Sequence, residues 1–209
     1  MMSFKRPNIV RPPSEWKSYF LPLTSSCSNN SCTFFGSYGT KLGVRNIDDV
    51  KIEIDALNMY INHGIYLPNI DPIVYKIAPN LKSKWVFLQD GDALVYPYPK
   101  LLEVLQYINQ KLPNLERIAA YSTPQYILRR SEEELLQLRK QKLSILYVGV
   151  ESGDDDVLSQ VNKGVTHDEI VTACKKAKQA DIKLSVTVLL GLGRVKGSEK
   201  HSLETCPHS

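Results

Sequence analysis

The sequence predicts an α/β protein in which about five strand–helix units build a parallel sheet, either open or closed into a barrel. Three observations predict it. Compact apolar runs of strand length alternate with stretches whose apolar residues recur every three to four positions. The firmest runs, Trp85-Val86-Phe87-Leu88 and Ile145-Leu146-Tyr147-Val148-Gly149-Val150, show no polar alternation, as expected of strands buried on both faces. Two capping boxes, Ser131 with Glu134 and Thr166 with Glu169, mark helix starts among these runs.

In chain order, residues 1–17 carry Pro7, Pro12 and Pro13 among several charges and read as an extended lead-in. Tyr19–Leu23 is the first strand, weakened by Pro22. Ile47, Val50, Ile54, Leu57 and Ile61 form one face of a helix, and Trp85–Leu88 is the second strand. Leu101, Val104, Leu105, Ile108 and Leu112 give the next helix, and Ile118–Tyr121 the third strand. The Ser131 box opens a helix before the fourth strand at Ile145–Val150. The Thr166 box opens another that carries Ile170, Ala173, Cys174 and Ala177, ahead of a fifth strand at Leu184–Leu190. Residues 18–193 therefore make the core. Residues 194–209 form a polar tail that adds no further strand; with His201, Cys206 and His208 close together there, a frayed end is expected over a metal site.

Composition narrows the function classes. The 209 residues are 43% hydrophobic and 23% charged with 11 Gly and 12 Pro, which excludes fibrous and wholly disordered proteins. No apolar run approaches the roughly 20 residues of a membrane span, and no apolar stretch follows the basic start, so neither a span nor a secretory signal is expected. The net charge of +4 is spread along the chain without a basic block, giving no clear nucleic-acid signal. Four cysteines without a signal peptide point to a reducing, cytoplasmic setting, where thiols bind metal, catalyse or pack. Cys174, on the apolar stripe of its helix, is expected to pack.

Parallel α/β proteins bind ligands outside the carboxyl ends of their strands. The segments at those ends are polar or glycine-rich: Thr24 to Gly36, Gln89-Asp90-Gly91-Asp92, Ser122-Thr123-Pro124, Glu151-Ser152-Gly153-Asp154 and Gly191-Leu192-Gly193. Each alone is an ordinary cap or turn; together they favour a small-molecule site on that rim. Cys27 and Cys32 are either half of a zinc site or a pair of buried small residues. His63 and His167 have no Cys or His at ligand spacing, and His167 is expected as a solvated helix-start residue.

The loop Cys27-Ser28-Asn29-Asn30-Ser31-Cys32-Thr33-Phe34, read with the later strand ends, resembles the radical S-adenosylmethionine (radical SAM) superfamily in its C-x4-C-x2-C branch. The resemblance runs from about Arg11 to Gly193. It implies a parallel β/α partial, incomplete TIM-like barrel. It also implies a 4Fe-4S cluster that, with S-adenosyl-L-methionine, yields a 5′-deoxyadenosyl radical able to abstract hydrogen from a substrate not readable here. Cys27 and Cys32 would be cluster ligands, and Phe34 would pack beside the cofactor. Asp90, Gly91 and Asp92 would receive the methionine amine, Glu151 and Ser152 the ribose, and Val188, Gly191 and Gly193 would belong to the adenine segment. An electron donor such as flavodoxin or ferredoxin is implied if the cluster forms.

The sequence departs from that pattern twice. Phe35 stands where the third cysteine belongs, and a phenyl ring cannot ligate iron. The family's core also commonly has six units, so this one is expected to be C-terminally truncated. A degenerate, non-catalytic domain that keeps only ligand or partner binding is therefore the alternative to an iron–sulfur enzyme.

Overall fold

The computed structural model describes residues 4–34 and 41–206. The strands are β1 (Tyr19–Pro22), β2 (Thr24–Ser25), β3 (Gly43–Val44), β4 (Trp85–Gln89), β5 (Arg117–Ser122), β6 (Leu143–Glu151) and β7 (Lys183–Val188). The helices are α1 (Ile47–His63), α2 (Pro72–Ile77), α3 (Tyr98–Lys111), α4 (Pro124–Arg129), α5 (Glu132–Lys140), α6 (Asp155–Gln160), α7 (His167–Gln179) and α8 (Arg194–Thr205). The five longer strands form one parallel sheet in the order β1-β4-β5-β6-β7. Its register runs Phe20↔Phe87↔Ala119↔Ile145↔Lys183. This is the α/β architecture of a partial β/α barrel. Chain order equals spatial order, as short right-handed crossovers require.

The predicted helices begin where their caps stand. Ser131 Oγ accepts from Glu134 N–H at 3.0 Å while the Glu134 carboxylate accepts from Ser131 N–H at 3.0 Å, and Thr166 and Glu169 repeat the arrangement. α1, α3, α5 and α7 turn their apolar stripes inward, and Val50, Ile54, Leu57, Leu101, Leu105, Leu135 and Ala173 join one core with β1, β4, β5 and β6. Cys174 packs, half-buried, against Leu158, Val165 and Ile170, as its helical position predicts.

The two sheet edges are treated differently. At β1 the carbonyls of Phe20 and Pro22 accept from Arg6 Nη1 (3.2 Å) and Arg45 Nη1 (3.3 Å). Both guanidinium groups pair with Glu53, which also accepts from the Tyr19 hydroxyl at 2.7 Å. Pro22 sits at this edge, where a missing N–H costs no ladder bond. β7, at the other edge, leaves Val186 half exposed. The lead-in packs onto the sheet: Asn8 O accepts from Gln89 Nε2, and the turn Pro13–Glu15 buries Glu15 against Tyr147 Oη (2.7 Å) and Arg117 (2.9 Å).

The tail corrects the sequence-based expectation. Residues 194–205 form a docked helix, not a frayed end, and His201 within it is buried. Polar anchors hold it, so no apolar periodicity announces it. His208 lies outside the described residues, and Cys206 is exposed. No described helix is long and apolar enough to cross a membrane.

Candidate functional site

A cavity of about 250 Å³ opens at the carboxyl ends of the parallel strands. Three groups of residues line it: the cysteine loop with Cys27, Cys32 and Phe34, the strand-end residues Gly91, Ser122, Thr123, Glu151 and Thr187, and Tyr121 and Tyr147 deeper in the sheet. The two tyrosine rings stand edge-on to Phe87, at 5.0 and 5.8 Å between centroids, and form an aromatic floor.

Two anchors hold the cysteine loop. At its base β2 pairs antiparallel with β3, joining the ends of the excursion. At its tip Thr33 N–H donates to Val161 O (3.0 Å) and Asn29 Nδ2 to Lys163 O (2.5 Å), which docks the loop on the turn after α6. Asn29 Nδ2 also reaches Cys32 Sγ at 3.4 Å. Burial pushes both thiols above their usual pKa, with Lys163 opposing that trend at each. Phe35 lies outside the described residues.

The Asp-Gly-Asp segment divides its work. Gly91 reaches the cavity; a Cβ there would stand 2.4 Å from Ser26 O and 2.9 Å from Cys27 Cα, so only glycine lets the loop pass so closely. The carboxylates turn elsewhere. Asp90 Oδ2 accepts from Ser26 N–H (3.1 Å). Asp92, fully buried, accepts from Leu94 N–H (2.9 Å), Thr123 N–H (3.1 Å) and the hydroxyls of Thr123 (2.7 Å), Ser28 (3.2 Å) and Ser122 (3.3 Å). Burial nevertheless raises its pKa to about 6. Asp92 thus ties the cysteine loop to the end of β5.

At the end of β6 the pairing register with β7 slips between Gly149 and Glu151, and Glu151 takes a left-handed φ of +68°. Such a bulge re-aims a side chain; here the Glu151 carboxylate points into the cavity and pairs with Lys163 Nζ at 3.3 Å. Gly149 makes the room, since its Cβ would lie 2.3 Å from Glu151 Oε1. Lys163 is only 6% exposed and stands 6.0 Å from the Phe34 ring centroid.

Of the sequence-predicted site residues, Cys27, Cys32, Phe34, Gly91 and Glu151 meet at this cavity. Asp90, Asp92 and Ser152 lie behind it as buried hydrogen-bonding residues. Val188 ends β7, while Gly191 (φ +87°) and Gly193 lead into α8; none of the three lines the cavity. His167 starts α7 half-buried, its Nδ1 2.9 Å from Gly153 O. Sequence reasoning missed Lys163, Tyr121 and Tyr147. The tyrosines sat inside strands already assigned to the core, and Lys163 follows a short helix that carries no pattern.

The Radical SAM superfamily profile matches residues 68–205. The chain belongs to the radical SAM superfamily. Among solved structures, a methylornithine synthase aligns with a TM-score of 0.57 at 18% identity, over 89% of this chain and 48% of that one. The cobalamin-dependent S-adenosylmethionine radical enzyme OxsB, with aqua-cobalamin bound, gives 0.61 at 15%, over 90% and 27%. Coproporphyrinogen III oxidase from Escherichia coli, a radical SAM enzyme, gives 0.56 at 16%, over 91% and 42%. These likenesses show a shared fold, and this chain spans about half or less of the length of each. No curated protein matches it in sequence.

Radical SAM membership implies an iron–sulfur cluster and S-adenosylmethionine in general, and the described residues fit the two unequally. The amino acid and nucleoside of S-adenosylmethionine suit the cavity, where an ammonium, a carboxylate and two hydroxyls converge over an aromatic floor in space kept by Gly149. A cluster held by three thiolates does not fit. Two thiols face the cavity, and no group of three or more His, Cys, Asp or Glu among the described residues is placed to hold a metal ion.

Proposed function

We propose that this chain binds S-adenosylmethionine in the strand-end cavity, and that binding is retained here without the reductive cleavage its superfamily performs. The observation that carries the proposal is the Glu151–Lys163 pair, nearly buried in the cavity wall beside the cysteine loop. An ion pair recessed in an apolar surround is costly unless it meets further polar groups. A zwitterionic ligand provides them: its carboxylate suits the Lys163 ammonium, while amino or ribose hydroxyl donors suit Glu151. Thr123 and Ser122, whose hydroxyl protons go to Asp92, offer oxygen acceptors on the β5 side, and Phe34 gives a flat apolar face beside Lys163. The segment from Val188 to Gly193 would border the adenine, with Asp90 and Asp92 acting by holding Gly91 and the loop.

Cleavage of S-adenosylmethionine in this superfamily draws its electron from a cluster on three thiolates, and Cys27 and Cys32 are two. An electron donor and a hydrogen-donating substrate therefore belong to this chain only if a third ligand completes the set. The test pairs calorimetric titration of S-adenosylmethionine with anaerobic cluster reconstitution of the wild type and Phe35→Cys, counting iron and sulfide and assaying cleavage. The wild type is expected to bind the ligand and remain inactive, and Phe35→Cys to take up a full cluster. Cleavage by the wild type would return it to the enzymes and overturn the binding-only reading. Failure of the wild type to bind would overturn the cavity assignment.

A further inference from the structure

α8 docks with almost no apolar face. Among its twelve residues His201 alone is buried, while Val195 and Leu203 are exposed. Such a helix gains little from hydrophobic burial, so its anchors are polar. Gly153 N–H donates to Thr205 Oγ1 (2.8 Å), and the Lys200 ammonium reaches Asp154 (3.1 Å) and Asp156 (2.6 Å). Gly153 permits the approach, since a Cβ there would lie 2.2 Å from Glu204 O.

The His201 ring joins two separate rim segments. Its Nε2 stands 3.1 Å from Leu189 O, and its Nδ1 2.7 Å from Ser152 Oγ. A carbonyl can only accept, so Nε2 carries the proton, and in the neutral ring Nδ1 accepts from the Ser152 hydroxyl. Ser152 Oγ in turn accepts from Asp154 N–H (3.0 Å), and Leu189 N–H donates to Glu151 O (3.1 Å). Three hydrogen bonds and the Glu151–Ser152 peptide link thereby join Glu151, Ser152, His201 and Leu189 in a closed ring behind the cavity. Glu151 holds an unfavourable left-handed φ, a state that persists only where the surroundings over-determine it.

We propose that His201 is a positioning residue of the S-adenosylmethionine site: it clamps the end of β6 to the segment after β7 and so aims the Glu151 carboxylate. This rests on the ligand proposed above. His201 does not line the cavity itself, so its influence on binding runs through Ser152 and Leu189.

The experiment uses the full chain with three variants and S-adenosylmethionine as titrant. His201→Leu removes both bonds, His201→Asn keeps an acceptor for Ser152, and His201→Gln keeps a donor for Leu189. His201→Leu is expected to weaken binding about tenfold, the equivalent of one lost hydrogen bond, with the other two variants each recovering part. Ser152→Ala combined with His201→Leu is expected to cost no more than the worse single change. Amide exchange without ligand is expected to rise at residues 151–153 and 189–191. A purely structural role would lower the unfolding midpoint yet leave the affinity of the folded chain unchanged, and that result overturns the proposal. If His201→Leu does not fold, wild-type affinity in both His201→Asn and His201→Gln overturns it equally. A wild type that binds no S-adenosylmethionine overturns the ligand and the positioning role together; where the wild type binds, exchange in His201→Leu that matches wild type overturns the clamp alone.

Discussion

Asp92→Asn isolates a fully buried carboxylate whose burial and hydrogen bonding pull its pKa in opposite directions. Burial removes water from a fully enclosed group and favours the neutral acid, while five donors favour the anion. Burial prevails, and the carboxyl rises from 3.8 to about 6. A group whose pKa is higher in the folded chain than in the unfolded one adds stability in full below the unfolded value. That stability is lost as the pH rises through the folded value, here between about 4 and 6. The loss amounts to about 3 kcal/mol, from roughly 1.4 kcal/mol per pH unit of difference. The variant's amide does not titrate, and other carboxylates cancel when the two proteins are compared. The stability advantage of wild type over Asp92→Asn is therefore expected to shrink by about 3 kcal/mol from about pH 3.5 to pH 7. Superimposed on this is a pH-independent cost of about 1–3 kcal/mol, because the amide nitrogen must face a donor such as Leu94 N–H. Urea denaturation followed by circular dichroism at several pH values measures both parts. A wild-type advantage that stays constant, or grows, over that range would refute the reasoning. It would mean that the donors from Thr123, Ser28, Ser122 and Leu94 outweigh burial and keep the carboxylate charged.

Two other perturbations test the scaffold of the site. Gly91→Ala would drive a Cβ to 2.4 Å from Ser26 O, so a loss of about 1–3 kcal/mol is expected in denaturation, with faster alkylation of Cys27 as the loop lifts; unchanged alkylation would count against the packing role of Gly91. Glu53→Gln leaves Arg6 and Arg45 without their shared counter-charge at the β1 edge, and a loss of about 3–5 kcal/mol is expected in the same assay, less if the guanidinium groups reach solvent.

Much of the scaffold was legible because its signals are local. Capping boxes at Ser131 and Thr166 depend on four consecutive residues, and the stripes of α1 and α3 on helical period, so both survive without knowledge of neighbours. The short helices α2, α4 and α6 and the β2–β3 pair went unforeseen, since six or fewer residues carry too little periodicity to stand out. Of the residues that line the cavity, Cys27, Cys32, Gly91 and Glu151 were singled out in the sequence through the family resemblance, whereas Lys163 and the tyrosine floor were not. A lysine after a short helix looks like a solvated surface charge until the turn after α6 folds under the cysteine loop.

By itself the sequence determined the α/β class, the strand–helix alternation and the superfamily, because each depends on residue identity and spacing along the chain. Tertiary structure alone decided that Asp92 braces the loop behind Gly91, that Glu151 turns inward to meet Lys163, and that His201 is buried between two strand ends. Those facts arise from contacts between residues 12 to 64 positions apart. Burial and hydrogen-bond partnership are properties of the packed chain, and the same side chains read singly are ordinary caps, surface charges and tail residues.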